Sequence, residues 1–265
     1  MHLVEHIKRL NQNHLVHLED HPPHYALKIY KKKESPSTLS DLYTQVAIVR
    51  KLCNKHLLNL KSIYEDDEHF YFLSEVPIDI QPLSNYILQG EGYYDEHIVA
   101  NWIKQILEGL QYLHSHGITH GDLNISSLLI RKTKSTLLLC GYEGNKLRNK
   151  FHEELNKEKN FKEEFNTIAP EIHEKKGYGQ AADIWSVGVI AFLLLTGEYP
   201  KLNPLPYDTV KEKKNYFELP RTFTIENNLP PLALNLISQI LVDQPISRPT
   251  ASQALQHPWF STFFN

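Results

Sequence analysis

A run of about 12 almost uninterrupted apolar residues, Ile184 to Leu195, is the feature that most limits what this chain can become. A membrane-spanning helix requires roughly 20 such residues, so the run is too short to cross a bilayer. It reads as a helix shielded by protein on every side, which demands a substantial core. A chain of 265 residues can supply one or two packed cores. Hydrophobic residues at 41% and charged residues at 22% place it with ordinary globular proteins rather than disordered or fibrous ones.

Ahead of that run the pattern changes from short to long. YALKIY (25–30) and FYFLSEV (70–76), within the stretches 14–30 and 69–76, are rich in aromatic and branched residues with partial alternation, and read as strands. Between them Leu42, Val46, Val49 and Leu52 recur at helical spacing after SPST, a plausible start signal, which predicts one helix over 39–53. After Pro77–Pro82 the pattern is predominantly helical. Ile98, Trp102, Ile106, Leu110 and Leu113 mark one face of a long helix that Gly117 closes. Residues 144–166 are dense in charge of both signs with few apolar anchors, which predicts an exposed segment.

The net charge of −3 provides no basic field to draw the chain to nucleic acid or anionic lipid, so neither is expected as a partner. Cys53 and Cys140 form no CxxC pair, which argues against a disulfide framework or thiolate zinc site and favours a reducing compartment. MHLVEHIKRLNQ lacks the apolar core of a secretory signal. The expected location is the cytoplasm, with the nucleus left open.

Five stretches in a fixed order resemble the eukaryotic protein-kinase family from about Ile7 to Phe260. YALKIY is similar to the strand carrying the ATP-contacting lysine. YLHSHGITHGDLNISSLLI (112–130) is similar to the catalytic loop and IAPEI (168–172) to the APE element. ADIWSVGVIAFLLLTGEYP (182–200) is similar to the central buried helix, and SRPTASQALQHPWF (247–260) to the closing element. The flavour is that of the Ser/Thr branch and its calcium/calmodulin-kinase-like members. The resemblance implies a bilobal α+β fold, with a small β-rich lobe holding one helix over 1–76 and a larger, mainly helical lobe over 77–265, meeting near Glu75 to Asp79.

Carried over residue by residue, the resemblance places the ATP-phosphate lysine at Lys28 and the catalytic aspartate at Asp122. Phosphoryl transfer relies on positioning and electrostatics, so each missing charge matters. Asn11 and Asn13 stand where the first two phosphate-loop glycines would fall, and Gln45 stands for the glutamate that pairs with the lysine. Ser127 replaces the metal-binding asparagine; Gly141, Tyr142 and Glu143 replace DFG; Gly121 and Asn124 replace the loop arginine and lysine. Positions with architectural duties are kept: His120 and Tyr142 for an aromatic stack, Asp183 to anchor the catalytic loop, and Glu171 with Arg248 as a buried ion pair.

ATP is the implied cofactor, whereas the altered ligand positions argue against Mg²⁺. No metal site is assigned, neither with Glu143 as a displaced carboxylate nor at the His114, His116 and His120 cluster. Two functional readings follow. One is a pseudokinase: a protein-binding scaffold or allosteric regulator whose partner is another protein, an active kinase or a kinase substrate. The alternative is an ATP-dependent Ser/Thr kinase acting through Lys28 and Asp122.

Overall fold

The computed structural model describes residues 14–16, 24–32, 39–77, 79–88, 94–131, 135–142, 167–173, 179–200 and 229–264. Strands β1 (His14–Val16), β2 (His24–Lys31), β3 (Leu60–Glu65) and β4 (His69–Val76) form an antiparallel sheet in the order β1-β2-β4-β3. Helix α1 (Leu39–Val49) sits between β2 and β3 in sequence, and the predicted helix ends four residues earlier than its apolar spacing suggested. β3 escaped the sequence reading because its register shifts between Leu60 and Ser62, which breaks the alternation by which a half-buried strand is read.

Phe70 and Phe72 are buried on one face of this sheet and pack with Val46 of α1. Leu27, Leu73, Tyr25 and Tyr71 cluster on the other. The α1 face is fastened at its rim. The Tyr43 hydroxyl donates to Glu65 Oε2 (2.7 Å), and Lys32 Nζ donates to the same oxygen (2.7 Å) while lying 4.7 Å from the centre of the Phe70 ring. Hydrogen bonding to Lys32 and then Tyr43 holds the Glu65 carboxyl below its ordinary pKa; Lys32, bonded to Glu65, is pushed up.

The remainder is built on helices, as expected, with one omission. Strands β5 (Ile80–Pro82), β6 (Leu128–Arg131) and β7 (Thr136–Leu139) form a second antiparallel sheet. At three or four residues each, they are too short to print a periodicity. The helices are α2 (Leu83–Leu88), α3 (Glu96–Ser115), α4 (Pro170–His173), α5 (Gln180–Thr196), α6 (Pro231–Ile240), α7 (Ala251–Ala254) and α8 (Pro258–Ser261).

α3 begins at Asp95, whose carboxylate accepts from His97 N, and buries Val99, Trp102, Ile103, Ile106, Leu110 and Leu113. Ile98, placed on that face by the sequence, is 39% exposed. α5 is buried from Ala182 to Leu194, as its apolar run requires, and stops at Gly197. No helix among the described residues is long and apolar enough to cross a membrane. α5 meets α6 so closely that a Cβ on Gly188 would lie 2.6 Å from Ile240 Cγ2.

Among the described residues, two sets of polar contacts join the halves, beside the packing of Val49 and Leu52 into the helical core. Around residues 75–79, Glu75 faces Lys61 at 3.7 Å, and Asp79 accepts from Arg131 Nε at 3.1 Å, so the crossing chain carries one ion pair on each side. The second joint is Asn54–Leu58. Cys53 N donates to the Tyr112 hydroxyl, Leu58 N to Leu139 O, and Leu139 N back to His56 O. Gly109 permits this approach, since a Cβ there would meet Leu139 Cδ1 at 3.0 Å and His56 Cβ at 3.4 Å.

His56 is buried with Nδ1 facing Leu137 O and Nε2 at 2.9 Å from Glu108 Oε2; burial is the main reason its pKa falls below the ordinary value. Burial would raise Glu108, but hydrogen bonds from Lys104 and Lys55 outweigh it and bring the carboxyl down to about 2.

Candidate functional site

The loop from Ile118 to Ser127 joins α3 to β6, and a buried carboxylate from another helix sets its shape. Asp183, in the first turn of α5, is fully buried. Its Oδ2 accepts from His120 N and from His114 Nε2, both at 2.8 Å, and its Oδ1 accepts from Gly121 N at 2.9 Å. This is the anchoring duty expected of Asp183. His114, one of the clustered histidines to which no metal is assigned, supplies one of the three hydrogen bonds. A carboxylate without those donors would be costly to bury, so anchor and loop stabilise each other.

Asp122 follows, half-buried, with Asn124 as its neighbour in the network. Asn124 Nδ2 donates to Asp122 Oδ1 (3.1 Å) and to Asp122 O (3.3 Å). Asn124 Oδ1 accepts from Ser126 N (2.8 Å) and Ser127 N (3.1 Å), capping the 3₁₀ turn Ile125–Ser127. Ser127 completes a reciprocal box: its Oγ accepts from Asn124 N at 3.0 Å and donates to Asn124 O at 2.9 Å. The sequence reading treated Asn124 only as a replacement for a lysine. The Asn-x-x-Ser spacing, a capping-box pattern, was the signal that could have shown its structural part.

Cys140 N donates to Ser127 O at 2.9 Å, which brings the end of β7 to this turn. Ser127 and Gly141 are therefore near neighbours, as the resemblance implied. Gly141 has φ +97°, a conformation a side chain would strain. Between them the two positions offer one neutral hydroxyl, already hydrogen-bonded as donor and acceptor, and no carboxylate.

Tyr142 is buried and donates its hydroxyl to Leu58 O (2.9 Å), tying this end of the site to the Asn54–Leu58 joint. It meets His120 edge-on, with ring centres 6.5 Å apart, rather than in the expected stack; the hydrogen bond to Leu58 fixes the phenol elsewhere.

Lys28 lies in β2, directly opposite Phe72 of β4, and is half-buried. Cross-strand partners share a face, so Lys28 points to the side that α1 covers, where Gln45 is buried. Asn11, Asn13, Glu143 and the charged 144–166 segment lie outside the described residues. Among the described residues no group of three or more His, Cys, Asp or Glu side chains could hold a metal; His114 bonds Asp183, and His116 Nδ1 bonds Tyr112 O at 2.8 Å.

Below the loop, Arg248 and Glu171 form the expected buried pair. Nη1 meets Oε1 at 2.7 Å and Nη2 meets Oε2 at 2.8 Å. The remaining guanidinium donors reach Val242 O, Ala181 O and Asp243 O, and the group lies 4.9 Å from the centre of the Trp185 ring. All five N–H donors of a guanidinium are thereby used.

Comparison with known proteins agrees with this geometry. The model of the protein kinase domain matches residues 14–260. A calcium/calmodulin-dependent protein kinase type 1 of Caenorhabditis briggsae is 26% identical over 259 residues, covering 89% of this chain and 65% of that protein. A probable myosin light chain kinase of Dictyostelium discoideum is 30% identical over 245 residues, covering 88% and 58% respectively. The meiosis-specific serine/threonine-protein kinase mek1 of Schizosaccharomyces pombe is 30% identical over 258 residues, covering 89% and 53%. The chain thus spans roughly half to two-thirds of the length of these relatives.

Proposed function

We propose that this chain, which belongs to the protein kinase domain family, works as a pseudokinase: a protein-binding scaffold or allosteric regulator in which phosphoryl transfer is impaired or absent. One observation carries the reading. Where the family places hard oxygen ligands for magnesium, this chain has Gly141, without a side chain, and Ser127, whose hydroxyl is engaged in a capping box. Magnesium favours carboxylate and phosphate oxygens in near-octahedral order, and these two positions do not fit it. The neutral Gln45 beside the α1-covered face supports the same reading, since an amide cannot neutralise an ammonium at Lys28. The partner is another protein, an active kinase or its substrate, in the cytoplasm.

The family in general uses ATP and Mg²⁺, and Lys28 and Asp122 favour a second reading, an ATP-dependent Ser/Thr kinase. In that reading Lys28 contacts an ATP phosphate. Asp122 accepts the proton of a substrate hydroxyl as its oxygen bonds to the γ-phosphorus and ADP departs.

Thermal melting of the purified chain with ATP, alone and with Mg²⁺ or Mn²⁺, separates the readings, because a ligand bound only to the native state must raise the midpoint. The scaffold reading expects no shift, or a shift indifferent to metal. A metal-dependent shift, followed by phosphoryl transfer that Asp122→Asn abolishes, would establish the kinase instead.

A further inference from the structure

Helix α8 begins with a donor that its own backbone does not satisfy. Pro258 has no N–H, and Phe260 N donates to His257 O at 3.1 Å, which leaves Trp259 N. Trp259 is fully buried, so water cannot take that proton. The acceptor is His257 Nδ1, at 3.2 Å, in the capping position more often held by an Asn, Asp, Ser or Thr oxygen. An imidazole serves there only while Nδ1 carries no proton.

The other ring nitrogen is committed to the same state. His257 Nε2 lies 2.9 Å from Asn235 Oδ1 of α6, an oxygen that also accepts from Gln239 Nε2 at 2.8 Å. An amide oxygen only accepts, so Nε2 holds the proton of the neutral ring and Nδ1 keeps its lone pair. A second proton has only Nδ1 to go to, where it would face the Trp259 N–H, donor against donor. Burial acts in the same direction and holds the His257 pKa below its ordinary value.

No ionised group compensates. α6 has no charged side chain from Pro231 to Ile240, and residues 249–256 have none either. Arg248 lines the same hollow as His257 but is taken up by Glu171. On α3, each group with a side-chain charge or a titratable ring engages an aromatic side chain of the closing segment. Glu96 Oε1 accepts from Trp259 Nε1 at 2.8 Å, His97 meets the rings of Phe263 and Phe264 at 5.4 and 5.5 Å between centres, and Lys104 lies 5.8 Å from the centre of the Phe264 ring.

We infer that His257 is a proton-operated latch: its neutral ring caps α8 and keeps Trp259 packed, whereas a proton on Nδ1 removes the cap and loosens residues 258–264 from α3. A released ring binds its proton more readily than the capping one. The cap is therefore complete above about pH 6.5, the ordinary histidine value, and is lost as pH falls below it. What loosening uncovers is aromatic: Trp259 and Phe260, now buried, and the half-buried Phe263 and Phe264. The latch operates whether or not the chain transfers phosphate.

Hydrogen exchange of the full chain, corrected for the intrinsic pH dependence of exchange, tests this at the Trp259 amide. Protection there should fall about fivefold between pH 7.5 and 5.0, while amides of α5 keep theirs. His257→Asn supplies a capping oxygen that does not titrate, so its protection should persist and no longer change with pH. His97→Gln is the control, because a second histidine touches the same segment, and it should leave the wild-type pH dependence in place. Nitrogen NMR of the wild-type histidine rings needs no variant: His257 should hold its proton on Nε2 at pH 7.5. A proton on Nδ1 at that pH overturns the latch. So does Trp259 protection that is flat in the wild type, falls in step with α5, falls equally in His257→Asn, or loses its pH dependence in His97→Gln.

Discussion

The guanidinium site at Arg248 and the loop end at Ser127 and Gly141 lie in the same helical half, and they treat charge in opposite ways. At Arg248 a full charge is buried and every donor is matched, two of them by Glu171. At Ser127 and Gly141 charges expected from the family are absent, and the neutral groups that remain bond to one another or present no polar atom. A buried network is costly only when partly satisfied. The first site can lose nothing cheaply, whereas at the second the Ser127 hydroxyl that stands for a lost ligand is itself satisfied. Architecture and chemistry are thus separable in this fold.

The sharpest way to break the comparison is Arg248→Met. It strands Glu171 and three backbone carbonyls in the interior, and denaturant unfolding should show a loss of about 3–5 kcal/mol. A loss below about 1 kcal/mol would mean that the pair is not the constraint described. Gly188→Ala comes next, at about 1–3 kcal/mol, because its Cβ would overlap Ile240 and Leu241 between α5 and α6. The loop network should be milder. Asn124→Ala removes a cap at a cost of about 1 kcal/mol, and the test of its connection to the cleft is whether hydrogen exchange at Ser126 and Ser127 quickens while that of α5 does not.

The smallest effect is a pH slope. His56 has a folded pKa below its ordinary value of about 6.5, so the unfolded chain binds more protons in the window between the two values. Stability from this group is present above about pH 6.5 and lost as pH falls through that window. Glu108, at about 2 when folded, contributes above its ordinary carboxyl range and loses that contribution only in stronger acid. Urea unfolding of His56→Gln should therefore have a shallower slope just below pH 6.5, about as steep as wild type in the carboxyl range. An unchanged slope would remove His56 from the joint.

These contrasts also explain what could be read from the residues alone. α3 and α5 were legible because long helices repeat their burial pattern many times. β3 was not, because a register shift interrupts it, and β5 to β7 are too brief to have a pattern. Ile98 was placed on the buried face because it shares the helical spacing of Trp102, but spacing does not say where a stripe's edge falls.

At the site, residue types showed which charges were missing. What fills the gap is the Asn124–Ser127 box, whose Asn-x-x-Ser spacing is legible in the sequence but whose closure depends on side-chain direction. The sequence likewise offers a ring stack for Tyr142 but not the acceptor of its hydroxyl, because Leu58 O is a backbone atom 84 positions away.

The Asn54–Leu58 segment touches both ends of this story. It lies one turn beyond the end of α1, and its Leu58 carbonyl accepts from the Tyr142 hydroxyl. Whatever free energy passes through so short a connection passes equally in both directions, because linkage between two binding equilibria is reciprocal. A nucleotide held near Lys28 that changed a partner's affinity elsewhere on the fold by some factor would have its own affinity changed by that same factor, so a molecule that never turns over a substrate could still be read out through its nucleotide.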